Sequence, residues 1–143
     1  VPFLYVVWLV KRGQITDVDV QLRKQRMGPL LVTVSFAGLG WMGLWLGGAP
    51  AAMTWVAGGM WFQGLVILGI TTRWKISVHT ATAAAATTWI SLLLDTPLPA
   101  LLTVPLVAWS RVRLRRHSVL QTVAGAALGL SVFLAIWRLT VAG

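Results

Sequence analysis

The chain has 143 residues, of which 57% are hydrophobic and only 10% charged, against about 25% charged in an ordinary soluble domain. A water-soluble fold of this size cannot hide so much apolar surface, so the composition predicts one integral-membrane domain over residues 1–143. The formal charge is +9, yet eleven of the twelve Lys and Arg fall in three clusters, 11–26, 73–75 and 111–116, with only Arg138 elsewhere; such clusters between apolar segments point to lipid headgroups or phosphate and not to nucleic acid.

Val1 to Val10 reads as the end of a spanning helix whose start is expected to be missing, since no initiator methionine precedes it. Lys11 to Pro29 is polar and carries Asp17, Asp19, Arg23, Lys24 and Arg26. From Met27 to Thr72 there is no ionisable acid or base. That run is too long for one crossing of about 20 residues. The turn chemistry of Gly47-Gly48-Ala49-Pro50 divides it into helices at 30–47 and 51–70. A basic loop at 71–75 leads to an uncharged helix at 76–94, which Asp95-Thr96-Pro97-Leu98-Pro99 ends. The segment 100–109 is short and contains Pro105. It crosses only if the preceding turn dips into the protein or the flanks contribute. The last helix, 119–137, is rich in Gly and Ala and therefore suited to close packing. Trp8, Trp74, Trp109 and Trp137 stand near segment ends, as an interfacial belt requires.

The fold expected is all-α: a polytopic transmembrane bundle of about six helices. Two crossings separate each basic cluster from the next, so all three share one membrane face. The positive-inside rule makes that face cytoplasmic; if the charges instead form a binding site, they say little about orientation. The expected location is the inner or plasma membrane of a prokaryote. A homo-oligomer and a subunit of a larger complex are both open.

Both histidines fall in these basic loops. In Arg73-Trp74-Lys75-Ile76-Ser77-Val78-His79, Ser77 is an N-cap candidate, and the helix start it caps offers free N–H groups to an anion beside Lys75 and His79. The plainer reading is a capped helix with a snorkelling lysine. In Ser110-Arg111-Val112-Arg113-Leu114-Arg115-Arg116-His117-Ser118-Val119-Leu120-Gln121, a glutamine follows the histidine at i+4, within reach of its ring. Arginines beside an oriented histidine suit a phosphate ester: the guanidinium fork binds the anion and the imidazole attacks it or moves protons.

Ser110-Arg111, five residues, then His117 resembles the Ser-Arg-x5-His-x3-Asp signature of the type 2 phosphatidic acid phosphatase superfamily of membrane lipid phosphatases, and Ser77-Val78-His79 resembles its Pro-Ser-Gly-His motif. The likeness runs over roughly residues 15–138. It implies that His117 is the nucleophile that forms a phosphohistidine and His79 the acid that protonates the leaving alcohol. Arg111 and Ser77 would hold the phosphate, helped by the N–H groups of Val78 and His79. It also implies no metal and no cofactor. Three departures stand out. Gln121 replaces the aspartate that orients the nucleophile; its carbonyl can still fix the tautomer but not stabilise an imidazolium. Ile76 and Val78 replace proline and glycine. The first motif, Lys-x6-Arg-Pro, is poorly matched: Arg26 is the best phosphate ligand there, with Arg23 and Lys24 behind it, and seven residues before Arg26 stands Asp19.

The leading function is therefore a phospholipid- or isoprenoid-directed hydrolase, a lipid phosphatase for a phosphatidate-like or prenyl diphosphate substrate. The alternative is an inactive relative that binds anionic lipid or serves as an accessory subunit. A channel or transporter is disfavoured, since no charge marks a mid-membrane pathway.

Overall fold

The computed structural model describes residues 2–13 and 23–141; Asp17 and Asp19, and the side chains of Arg23 and Lys24, lie outside the described residues. The described residues form six helices and no strand: α1 (Pro2–Lys11), α2 (Arg23–Leu46), α3 (Ala51–Thr71), α4 (Val78–Leu93), α5 (Leu98–Arg113) and α6 (Val119–Val141). In hydrocarbon every backbone polar group needs a partner within the segment, and the helix supplies it. Stretches of α2, α3 and α6, with 21, 21 and 22 residues, are long and apolar enough to span. Helices α4 and α5 have 16 residues each, about 24 Å at 1.5 Å per residue. The molecule is a helical membrane bundle.

Two helix pairs lock through small residues. In the α2–α3 hairpin the locking is reciprocal. A methyl added at Gly38 would sit 2.7 Å from Trp61 Nε1, and one at Gly58 would sit 2.8 Å from Trp41 Nε1. Each indole lies over the other helix's glycine, and the two rings stack with centroids 4.9 Å apart. Between α4 and α6, Gly125 lets the backbone of α6 approach Ser77, where a methyl would lie 2.5 Å from its carbonyl oxygen. One turn on, a methyl at Gly129 would run into the backbone of Ala81 and Ala85. The spacing from Gly125 to Gly129 is the small-xxx-small pattern of close membrane helix pairs. Below this crossing, Ala85, Phe133 and Ile136 form a buried cluster, with Trp89 edge-on to Phe133 and Trp137.

Two elements differ from the sequence expectation. Helix α2 begins at Arg23 and not at residue 30, carrying Pro29 inside it. Charge marks the edge of the membrane but not the end of a helix, and Arg, Lys, Gln and Met are good helix formers. Helix α5 is longer than 100–109 at both ends. Proline in the first turn has no N–H to lose there, and the helix also runs through Pro105 as far as Arg113. Ser110 and Arg111 therefore lie on its last turns and not in a loop.

Candidate active site

The site forms where the start of α2, the α3–α4 junction and the α5–α6 junction meet. Its geometry begins with how α5 stops. Arg115 has φ +54°, and around it the Arg116 N–H donates to the Arg111 carbonyl at 3.0 Å and the Arg115 N–H to the Val112 carbonyl at 2.9 Å. These two bonds make a Schellman motif, with arginine at the left-handed position glycine usually fills. The Arg111 carbonyl also accepts the His117 N–H at 3.3 Å. The turn thus delivers His117 to the mouth of α6, where it is buried with 7% of its surface exposed.

Helix α6 opens on a reciprocal cap. The Gln121 N–H donates to Ser118 Oγ and the Ser118 N–H to Gln121 Oε1, both at 3.3 Å. This is the capping box, Ser-x-x-Gln. Gln121 Oε1 also lies 2.9 Å from His117 Nδ1. A backbone N–H only donates, so the group it meets on Gln121 is the oxygen. The histidine nitrogen facing that oxygen therefore carries the proton, and the lone pair is left on Nε2.

That lone pair points at Arg26, whose Nη2 is 3.4 Å from Nε2. Arg26 is buried to 7% exposure, and its Nη1 donates to the Ile76 carbonyl at 3.3 Å. One guanidinium thus joins α2 to both junctions. Lys75 donates through Nζ to the Arg116 carbonyl at 2.7 Å. Ser77 is fully buried and caps α4: Oγ accepts the Thr80 N–H at 3.3 Å and shares a 2.8 Å hydrogen bond with Thr80 Oγ1. The Ser77 N–H donates to the Gln121 carbonyl at 3.2 Å, binding the second basic loop to the third.

The electrostatics follow from this crowding. The His117 pKa is lowered to about 4, first by burial and then by the charges of Arg26, Lys75 and His79, which together outweigh the Gln121 hydrogen bond that raises it. Burial also lowers the Lys75 pKa, with Arg26 and Arg116 adding to the effect. At neutral pH His117 is an uncharged imidazole inside a cationic ring, an arrangement that favours an entering anion.

Of the residues read from sequence, the structure brings Arg26, Lys75, Ser77, His79, His117 and Gln121 into one cluster. His79 is exposed, yet near enough for its charge to act on His117. Arg111 is half-buried on the last turn of α5 and is tied to the cluster through its carbonyl. Sequence reasoning missed Arg116, which holds Lys75, and Thr80, which holds Ser77. It also missed Ser118, although Ser-x-x-Gln was a legible signal. Among the described residues no three His, Cys, Asp or Glu side chains gather as metal ligands. An apolar cavity of about 660 Å³ lies at the other end of the bundle, lined by residues of α2, α3 and α6 that include Trp41, Trp45 and Trp55. Nothing in its lining is ionisable.

The family model described as the PAP2 superfamily matches residues 55–142. No curated protein and no solved structure matches the chain. The matched region holds both histidines and all of α6, but it begins after α2. Arg26 therefore lies outside it, and its bonds to Ile76 and His117 bring it to the site.

Proposed function

The chain belongs to the PAP2 superfamily, and on that premise we propose that it is a membrane lipid phosphatase acting through a phosphohistidine. Family membership implies phosphatase-type chemistry on a phosphorylated substrate. The observation that carries the finer reading is the bonding of His117: Nδ1 faces Gln121 Oε1 at 2.9 Å, and Nε2 faces the Arg26 guanidinium. A nucleophilic imidazole requires a free lone pair on one nitrogen, a fixed proton on the other, and a cation where the phosphate must sit.

In the proposed reaction the substrate headgroup enters the cationic ring, while its tail stays in hydrocarbon. Arg26, Lys75 and Arg111 hold the phosphate. The Nε2 lone pair forms an N–P bond to the terminal phosphorus as its P–O bond to the leaving group breaks, the lipid alcohol from a monoester or the lipid monophosphate from a diphosphate, and His79 gives its proton to the departing oxygen. Water, losing a proton to His79, then attacks the phosphohistidine; the N–P bond breaks and inorganic phosphate leaves. Arginine and lysine neutralise the charge that builds on the equatorial oxygens. A phosphatidate-like monoester and a prenyl diphosphate both fit this chemistry.

The test is phosphate release by purified protein in detergent from phosphatidate and from a polyprenyl diphosphate, with His117→Ala as control. Release that vanishes in the variant supports the reading. No release from either substrate by folded protein favours a lipid-binding or accessory role.

A further inference from the structure

We infer that Ser118 is a positioning residue for His117: by closing the capping box of α6 it keeps the Gln121 oxygen toward the imidazole, and so holds the His117 proton on Nδ1 and the lone pair on Nε2. The kinetic consequence rests on the phosphatase reading above; the tautomer itself does not.

The argument starts from what a glutamine cannot do alone. Its terminal torsion is broad and roughly two-fold, and its oxygen and nitrogen are nearly the same size. Rotated by half a turn, the amide would offer an N–H to Nδ1 and stabilise the opposite tautomer, which places the proton on Nε2 and removes the nucleophile. A carboxylate has no such ambiguity, because both its oxygens accept. The Arg26 donor opposes that tautomer only from 3.4 Å, so glutamine at position 121 needs a second, local group that can tell its two ends apart.

The Ser118 N–H does this, since it donates to Oε1 at 3.3 Å and would meet another donor if the amide turned. What aims that N–H is the turn, and the turn is closed by the hydroxyl of Ser118, which accepts the Gln121 N–H at 3.3 Å. One residue thus supplies both halves of the box. Without the hydroxyl the first turn of α6 frays, the Ser118 N–H loses its aim, and the amide is free to turn.

The test uses the full chain in detergent, labelled with ¹⁵N-histidine. Imidazole nitrogen shifts assign the tautomer, and phosphate release gives kcat and KM. Wild type shows His117 protonated on Nδ1 alone. In Ser118→Ala both tautomers appear, and kcat falls on the order of fivefold with KM little changed, the size of effect expected when an N-cap serine becomes alanine. Ser118→Asn, another good cap, restores the single tautomer and kcat. Ser118→Gly costs the helix less and serves if the alanine variant does not fold; it too shows both tautomers. A single Nδ1–H tautomer and wild-type kcat in the alanine or glycine variant overturn the inference. An inactive wild type would sink the phosphatase reading, while the nitrogen shifts would still decide the role of Ser118.

Discussion

Arg26 Nη2 and His117 Nε2 lie 3.4 Å apart although 91 positions separate them in sequence. The contact fastens α2, which the family match does not reach, onto the histidine within the match that we propose as the nucleophile. It also puts a permanent cation where the proposed reaction would seat its phosphoryl group.

Replacing Arg26 by alanine therefore has two effects. It removes a donor aimed at the developing charge, a loss worth about a hundredfold in kcat/KM. It also raises the His117 pKa above about 4, because the Arg26 charge is one of the groups holding it down. Steady-state kinetics and a ¹⁵N titration of the imidazole check the two together. Unchanged kcat/KM would show that Arg26 does not meet the phosphate.

The depressed His117 pKa also sets the acid stability. Folded, the group titrates near 4; unfolded, near its ordinary 6.5. The unfolded chain thus binds the proton more readily, and stability rises with pH across that window. This contribution is fully present above 6.5 and is lost as the pH falls toward 4. Thermal melting should show a falling midpoint over this interval, and His117→Asn should flatten the slope.

Gln121→Glu keeps an acceptor beside Nδ1 but adds a negative charge. The His117 pKa rises, since a nearby carboxylate favours imidazolium. A more basic imidazole is a poorer leaving group from phosphorus, so quench-flow should find more phosphoenzyme at steady state than in wild type. Gln121→Leu removes the acceptor, and kcat should drop by about two orders of magnitude.

The sequence made much of this legible, for identifiable reasons. Uncharged runs marked the membrane segments, since charge in hydrocarbon is costly, and two crossings between basic clusters put them at one end. Ser77 was readable as a cap because serine before a helix has one common use. The extents of α2 and α5 were not readable. Arg23 to Gly28 is polar yet helical, and Pro105 interrupts α5 less than proline inside a helix usually does. The Arg26–His117 contact depends on how α2 lies against two loops far away in sequence, and no local pattern encodes that.

The α4–α6 crossing positions the site, and it depends on two missing methyl groups. Gly129→Ala would meet the backbone of Ala81 and Ala85, which cannot rotate away as a side chain can. It should separate the helices, lower the melting temperature and abolish activity by moving Ser77 from Gln121. Gly43→Ala, on α2 with nothing within 4 Å, should fold normally and gain about 1 kcal/mol of helix propensity.

Arg115 sits at φ +54°, where a residue with a Cβ costs roughly 1–2 kcal/mol relative to glycine. Arg115→Gly should raise the melting temperature without loss of activity. A lower melting temperature would show that the Arg115 side chain stabilises the turn by more than the strain costs.

The most direct test of the account is to trap the covalent intermediate. Protein mixed with a lipid phosphate labelled on its phosphorus and quenched in alkali, where phosphohistidine survives and phosphoserine does not, should retain label. Digestion should place that label on the peptide holding His117, and His117→Ala should retain none. Label on another residue, or full phosphate release by His117→Ala, would contradict the assignment of His117 as nucleophile.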